Sequence, residues 1–308
     1  MKPKVIVICG PTASGKTALS IELAKKIDGE IVSADSMQIY KDMDIGSAKP
    51  TQEEMEGIKH YLLDFVSPEE RYSVADYKKD ATIAVNEIIE KGKTPIIVGG
   101  TGLYIDSLIY NIDYPEIEFD EEYRKSLEKR AEEEGLQNLY EEAKEIDSKA
   151  MENISPNDQK RILRVLELYH QTGKTKTEQE IESRKNEIPY DYHVFALNMD
   201  REKLYDRINK RVDIMIEQGL IEEVEGIIKK YRTYPTAMQA LGYKEIKEYI
   251  IGNITKEQAI ETVKQETRRY AKRQLTWFRK NKQTIWLNAL DKKEENIKKI
   301  LEEINWKR

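Results

Sequence analysis

The clearest chemical signal in the sequence is an anion-binding loop, GPTASGKT, at residues 10–17. It fits the pattern G-x-x-x-x-G-K-[ST], with an apolar run before it and a helical pattern after it. The glycines let backbone N–H groups converge on an anion, and the helix N-terminus adds its positive dipole end. Lys16 supplies a mobile cation, and the Thr17 hydroxyl is placed to bind Mg²⁺. The predicted polyphosphate site comprises Gly10, Pro11, Thr12, Ala13, Ser14, Gly15, Lys16 and Thr17.

A phosphate loop does not by itself indicate ATP. In NTPases an apolar strand normally ends in an Asp that supports Mg²⁺. The strongest later apolar run, PIIV, ends in Gly99 and Gly100 instead, and Asp64 after a weaker run is a possible substitute. The Mg²⁺ ligands are therefore only partly defined, with Thr17 as the predicted protein ligand.

A carboxylate, Asp35, follows the second predicted strand, EIVSA at 30–34. That position lies on the same sheet edge as the phosphate loop, where α/β sites form. Asp35 could bind Mg²⁺ or act as a general base. It could equally cap a turn or helix, because Ser33 and Ser36 beside it are also capping types.

A run of basic residues, 267–282, contains no acid. As a helix it places Arg268, Lys272 and Arg273 where they could bind phosphates. Trp277 and Phe278 could belong to the core or stack on a base. The alternative is a solvated helix face without a ligand.

The elements that must position these residues alternate between strand and helix. Apolar runs at 4–9, 30–34, 61–65, 94–100, 193–199 and 284–289 predict strands, and helices are expected at 16–26, 80–91 and 291–304. This pattern predicts an α/β fold, a P-loop NTPase-like, doubly wound parallel sheet. Residues 115–190 are highly charged and helical in pattern, so they predict a helical insertion into a core formed by 1–114 and 191–308, with 201–282 mainly helical.

Composition limits the class of protein. The 308 residues carry a net charge of −6, yet residues 201–308 hold 25 Lys and Arg against 17 Asp and Glu, so one basic face could meet phosphates. The single cysteine, Cys9, excludes a disulfide within the chain, and the three histidines show no ligand spacing. No apolar stretch is long enough for a signal peptide or a membrane span, so we expect a cytoplasmic protein.

Six segments, occurring in order along nearly the whole chain, resemble one family, the bacterial tRNA dimethylallyltransferases, also called isopentenyltransferases. A single match would be weak evidence, whereas six in order are specific. The segments are GPTASGKT, SADSMQIYKDMDIGSAKP (33–50), GGTGLY (99–104), NDQKRILRVLELYHQTGK (157–174), AMQALGYKE (237–245) and TRRYAKRQLTWFRK (267–280).

The resemblance implies dimethylallyl pyrophosphate as donor and N6 of adenosine 37, beside the tRNA anticodon, as acceptor. The phosphate loop would hold the donor's pyrophosphate with Mg²⁺. Asp35 matches the family's general base, and an arginine from the region of Arg207 and Arg211 is expected near the pyrophosphate. The further implied tRNA contacts are Asp35, Ser36, Met37, Gln38, Thr101, Gln159, Lys160, Arg161, Ile162 and Leu163.

Several alternatives remain open in the sequence. Thr101 could simply belong to a tight turn, and 159–166 could be an amphipathic helix with Ile162 and Leu163 in its core. Arg207 and Arg211, one turn apart, could pair with neighbouring acids. A P-loop kinase shares the phosphate loop, and an adenylate isopentenyltransferase would use free adenine nucleotides. We expect a monomer whose insertion clamps the anticodon loop.

Overall fold

The computed structural model describes residues 2–114, 120–183 and 185–306. Its six strands are β1 (Lys4–Cys9), β2 (Gly29–Ser33), β3 (His60–Tyr61), β4 (Thr94–Gly99), β5 (Asp191–Asn198) and β6 (Ile285–Asn288). The helices in these ranges are α1 (Lys16–Ile27), α2 (Gln52–Met55), α3 (Val74–Glu90), α4 (Gly102–Ile109), α5 (Glu121–Glu133), α6 (Leu136–Ile146), α7 (Ser148–Met151), α8 (Gln159–Thr172), α9 (Lys176–Ser183), α10 (Arg201–Glu217), α11 (Leu220–Lys230), α12 (Tyr243–Ile250), α13 (Lys256–Phe278) and α14 (Lys293–Glu303).

The strands form one parallel sheet in the order β3-β2-β4-β1-β5-β6. β1 lies at its centre between β4 and β5, where Ile6 pairs with Ile96 on one side and His193 on the other. The chain leaves β1 toward one edge and later crosses to the other. The strand order therefore reverses beside the phosphate loop, which is where ligands bind in such sheets.

Helices cover both faces of the sheet. Val5, Val7 and Cys9 of β1 face one buried cluster with α3 and α4, whereas Ile6 and Ile8 face a second cluster with α1 and α14. Alternate residues of a strand point to opposite faces, and burial of both faces explains the continuous apolar run of β1. The predicted doubly wound parallel sheet is confirmed.

Two predicted elements differ from the structure. α3 begins at Val74 rather than near residue 80, because Ser73 and Asp76 form a reciprocal capping box. The predicted strand 61–65 is wrong beyond Tyr61, since Leu62 and Asp64 adopt positive φ angles of 60° and 56° and interrupt the extended backbone. The strands at 4–9, 30–34, 94–100, 193–199 and 284–289 are confirmed within two residues at either end.

Residues 110–188 form a compact unit of their own. Its helices α5–α9 enclose an apolar cluster that includes Leu127, Leu139, Ile162 and Leu163. The remaining residues, 1–109 and 189–308, form the second unit, which contains the sheet and α10–α14. The predicted boundary at Pro115 lies outside the described residues. Within the described residues, no helix has both the length and the apolar character needed to cross a membrane.

Candidate active site

The predicted site residues of the larger unit gather at one edge of the sheet. The phosphate loop follows β1, Asp35 follows β2, and Thr101 follows β4. In a parallel sheet the carboxyl ends of all strands meet at the same edge. The strand order thus brings together segments that are distant from one another in sequence.

The phosphate loop has the backbone that its glycines predicted. Gly10 adopts a φ of 139° and lies so close to β5 that an added Cβ would be 2.8 Å from the Leu197 carbonyl oxygen. Gly15, at φ 91°, forms the N-terminal cap of α1. Ala13 is also left-handed, with a φ of 62°. These conformations curl the loop around the N-terminus of α1, where N–H groups remain available to an anion.

Lys16 lies folded along this loop. Its ammonium donates to the carbonyl oxygens of Gly10 at 3.0 Å and Pro11 at 2.8 Å. Burial and the nearby Arg211 guanidinium together lower the pKa of Lys16 to about 8, although the Asp35 carboxylate opposes the shift. The three groups therefore lie close enough to act on one another electrostatically.

The structure separates the two candidate arginines. Arg211 on α10 is half-buried, and its Nη1 lies 3.4 Å from the Thr12 hydroxyl in the phosphate loop. Burial lowers the pKa of Arg211, while Asp35 and Glu54 partly restore it. Arg207, one turn earlier, is exposed to solvent. Arg211 is thus the arginine positioned beside the phosphate loop.

Asp35 fulfils the capping alternative with one of its oxygens. Oδ1 accepts hydrogen bonds from the backbone N–H groups of Met37 at 2.9 Å and Gln38 at 3.4 Å, so it holds the turn that follows β2. Gln38 continues this turn by donating to the carbonyl oxygens of Ser47 and Ala48. Capping and chemistry are compatible, because a carboxylate has a second oxygen.

The turns after β2 and β4 are bonded together. The Thr101 hydroxyl accepts from the Ser36 N–H at 3.0 Å, and the Thr101 N–H donates to the Ala34 carbonyl at 3.1 Å. A Cβ on Gly99 would lie 2.1 Å from that carbonyl oxygen, so only glycine permits the approach. Thr101 therefore has a structural task in addition to the expected tRNA contact.

The sequence did not reveal that one face of α13 contacts the phosphate loop and the turn after β4. The Gln274 side chain, 5% exposed, accepts from the Thr12 N–H and donates to the Gly100 carbonyl, both at 2.9 Å. Tyr270, one turn earlier, lies beside Thr101, and burial together with the charge of Asp35 raises the pKa of its hydroxyl. The spacing of Tyr270 and Gln274 by four residues was the available signal, because it marks one helix face.

The two aromatic residues at the C-terminal end of α13 belong to the core. Phe278 is buried, and Trp277 packs so closely on Gly102 that an added Cβ would be 2.3 Å from the indole ring. The Trp277 N–H donates to Asp106 Oδ2 at 2.9 Å. Burial raises the pKa of Asp106 to about 6, although the Trp277 bond and Lys280 oppose the shift.

Basic residues are exposed along α13 and just after it. They are Lys272 and Arg273 on the helix, and Arg279 and Lys280 beyond its end. Arg268 differs, because its guanidinium donates to Asn209 at 2.6 Å and Glu261 at 3.1 Å. Arg268 would have to leave these partners to bind a phosphate.

In the smaller unit, the predicted segment 159–163 begins α8. Gln159, Lys160 and Arg161 are exposed. Ile162 and Leu163 are completely buried in the core of that unit, so the side chains of this segment that tRNA could reach are those of the three exposed residues. The amphipathic helix accounts for them, since its apolar stripe faces α5 and α6.

A second feature that the sequence did not reveal is an anchor for the loop 42–49. The Glu223 carboxylate on α11 accepts hydrogen bonds from the backbone N–H groups of Asp44, Ile45 and Gly46 at 2.7–3.1 Å. It also accepts from the Tyr243 hydroxyl at 2.6 Å. This loop follows the Asp35 turn, so α11 and α12 stabilise its position.

The residues fit a magnesium ion that is bound mainly through phosphate. No cluster of three or more His, Cys, Asp or Glu side chains suitable for a metal occurs within residues 2–114, 120–183 and 185–306. Mg²⁺ commonly takes only one or two protein ligands and keeps waters and substrate phosphates. Thr17 is exposed at the start of α1, where its hydroxyl could serve. Asp64 instead pairs with Lys49 at 2.7 Å, so its suggested role as a metal ligand is not supported.

Comparison with known proteins gives one consistent family. A profile described as IPP transferase matches residues 38–281. A protein named tRNA dimethylallyltransferase from Acetivibrio thermocellus is 53% identical over 299 residues, covering 96% of each chain. One of the same name from Bacillus cereus strain AH187 is 48% identical over 290 residues, covering 94% of this chain and 91% of the relative.

Solved structures agree with the sequence relatives. The full-length tRNA isopentenylpyrophosphate transferase from Bacillus halodurans superposes with a TM-score of 0.74 at 43% identity, covering 99% of this chain and 96% of the other. A eukaryotic dimethylallyltransferase described as acting on tRNA gives a TM-score of 0.79 at 32% identity, covering 94% of this chain and 74% of the other.

Proposed function

Because this chain belongs to the IPP transferase family, we propose that it transfers a dimethylallyl group from dimethylallyl pyrophosphate to N6 of adenosine 37 in tRNAs. The products are N6-(dimethylallyl)adenosine and pyrophosphate. The observation that carries the proposal is the meeting of Lys16, Arg211 and Asp35 at the phosphate loop. Two cations beside an anion-binding loop and one carboxylate at the same sheet edge suit a pyrophosphate leaving group and a proton acceptor.

The donor half of the reaction needs neutralisation of charge. The bond between the allylic carbon and the pyrophosphate oxygen breaks, and its electron pair leaves with the pyrophosphate. The loop N–H groups, Lys16 and Arg211 stabilise the negative charge that develops there. Mg²⁺, held by Thr17 and the pyrophosphate oxygens, would supply further charge neutralisation when bound.

The acceptor half needs a base and orientation. Adenine N6 is a poor nucleophile, because its lone pair is delocalised into the ring. As the N6–carbon bond forms, N6 loses a proton, and we assign Asp35 as the base that accepts it. Because Oδ1 already accepts from Met37 and Gln38, Oδ2 is the oxygen assigned to N6.

The tRNA has to present its base in an extruded form, since an adenine stacked in the anticodon loop cannot reach a sheet edge. Exposed Lys272 and Arg273 on α13 are suited to phosphates beside this edge, and Gln159, Lys160 and Arg161 on α8 are proposed as further contacts. We propose that the enzyme acts as a monomer. We also propose that it works in the cytoplasm, where its proposed tRNA substrate is present.

One assay distinguishes this function from the two alternatives. The protein is incubated with labelled dimethylallyl pyrophosphate and Mg²⁺, together with unmodified tRNA, AMP, or ATP alone. Label in tRNA without added nucleoside triphosphate supports the proposal. Label in AMP would indicate an adenylate isopentenyltransferase, and ATP turnover without prenyl transfer would indicate a kinase-like protein.

A further inference from the structure

Gln274 joins two turns of the proposed active site through one buried amide. Oε1 accepts from the Thr12 N–H in the phosphate loop, and Nε2 donates to the Gly100 carbonyl after β4, each at 2.9 Å. A backbone N–H can only donate and a carbonyl oxygen can only accept, so these partners fix the orientation of the amide. The connection therefore requires a side chain that donates at one end and accepts at the other.

The amide packs closely against the turn to which it is bonded. A Cβ on Gly100 would lie 2.2 Å from Gln274 Nε2, so the glycine leaves the space in which the side chain reaches the carbonyl. Tyr270 on the same face of α13 lies beside Thr101, the next residue of that turn. α13 is thus bonded through Gln274 to the turn after β4 at Gly100 and to the phosphate loop at Thr12.

We propose that Gln274 is a positioning residue for prenyl transfer. Its side chain sets the distance between two segments: the phosphate loop, which holds the donor, and the Gly100–Thr101 turn, which lies beside the acceptor base. The inference rests on the proposed function. The donor carbon and N6 must approach within about 3–3.5 Å, and a misplacement of about 1 Å can cost about 10²-fold in rate. One side chain that spans both turns controls that distance without touching either substrate.

The chemistry of the amide predicts a specific order of substitutions. Methionine fills the space but neither donates nor accepts at these positions. An ionised glutamate accepts from Thr12 yet repels the Gly100 carbonyl oxygen, whereas a protonated glutamate can donate to that oxygen and still accept. Burial raises the pKa of a carboxyl group, so a buried glutamate becomes protonated at a higher pH than an exposed one. The glutamate variant should therefore regain function in acid, and the methionine variant should not.

The test compares the wild type with Gln274→Met and Gln274→Glu, using labelled dimethylallyl pyrophosphate and unmodified tRNA. Gln265→Glu, an identical change at an exposed position of the same helix, is the matched control. The single-turnover transfer rate is measured at about pH 8 and about pH 6. Donor binding is measured by calorimetry and tRNA binding by filter retention at both pH values. Each rate is divided by that of the wild type at the same pH, which removes pH effects that are common to all the variants.

We expect Gln274→Met to lose about 10- to 100-fold in transfer rate at both pH values, while donor and tRNA affinities stay near those of the wild type. Gln274→Glu should match it at about pH 8 and recover about 10-fold at about pH 6. Gln265→Glu should behave as the wild type. A normal rate in Gln274→Met, losses in affinity in place of rate, or no acid recovery in Gln274→Glu would overturn the inference. If the methionine variant does not fold, the pH dependence of the glutamate variant decides alone. An inactive wild type would instead contradict the proposed function.

Discussion

Arg211 Nη1 lies 3.4 Å from Thr12 Oγ1, so a helix that follows β5 contacts the phosphate loop that follows β1. The guanidinium is half-buried, which limits its hydration and strengthens its attraction to an anion in the loop. Arg207, one turn away on α10, is exposed. The two arginines therefore allow a matched test, because one contacts the phosphate loop and the other carries the same charge without that contact.

Arg211→Gln should lower kcat/KM for dimethylallyl pyrophosphate by about 10- to 100-fold, because a charge-assisted hydrogen bond contributes about 1.5–3 kcal/mol. Arg207→Gln should change it by less than about 2-fold. Steady-state kinetics with saturating tRNA measure both. An equal loss in the two variants would mean that overall charge, and not the contact with the loop, governs donor binding.

Asp35→Asn should reduce turnover by about 10²–10⁴-fold, the range for a positioned base. Asparagine keeps a side-chain oxygen that can accept from Met37 and Gln38, so the turn after β2 should persist. The affinity for tRNA should stay near that of the wild type. Asp35→Ala removes the acceptor as well, and it should in addition lower the melting temperature. Near-normal turnover in Asp35→Asn would leave Asp35 with the capping role alone.

Donor binding should weaken as the pH rises through about 8. Burial lowers the pKa of Lys16 to about 8, so its ammonium is charged below that pH and loses its proton above it. Linkage then predicts that the dissociation constant rises by up to about 10-fold per pH unit above 8. Calorimetry of wild type and Lys16→Arg measures the effect, since arginine stays charged throughout. Parallel pH profiles for both proteins would contradict it.

Asp106→Asn should stabilise the protein at neutral pH. Burial raises the folded-state pKa of Asp106 to about 6, above the ordinary value of about 4, so ionisation destabilises the folded state as the pH rises from about 4 to 6. Asparagine keeps an oxygen for the Trp277 N–H and never ionises. Allowing for solvent screening, the gain is roughly 1 kcal/mol, or about 1–3 °C in melting temperature.

Calorimetric melting at about pH 7.5 and about pH 4.5 measures this difference. The gain should be largest at the higher pH and shrink at the lower one. Asp206→Asn, at an exposed position of α10, is the control and should leave the melting temperature unchanged at both. An increase in melting temperature that is larger at the lower pH would contradict this prediction.

Local signals predicted the parts of the site that are formed by short segments. The phosphate loop and the strands before and after it follow from the apolar run of β1, two glycines and Lys16, because these residues determine their own backbone. The strand at 61–65 was wrongly predicted for the complementary reason. Its apolar residues fit a strand, whereas the positive φ angles of Leu62 and Asp64 depend on loop contacts.

Tertiary partners decided what the sequence left open. Arg211 and Arg207 are equivalent in sequence, and only the packing of α10 against the phosphate loop separates them. Arg268 has the same local environment of basic residues as Lys272, but Asn209 on α10 binds its guanidinium. That pairing involves residues that are distant in sequence, so composition and periodicity cannot reveal it.

The central claim is that the phosphate loop serves a prenyl pyrophosphate whose group passes to adenosine 37. The most direct measurement is single-turnover transfer from labelled dimethylallyl pyrophosphate to tRNA transcripts with adenosine or guanosine at position 37, without any nucleoside triphosphate. The account predicts that the adenosine transcript gains close to one label per molecule, recovered after digestion as N6-(dimethylallyl)adenosine, and that the guanosine transcript gains none. Labelling that requires ATP, or equal labelling of both transcripts, would contradict it.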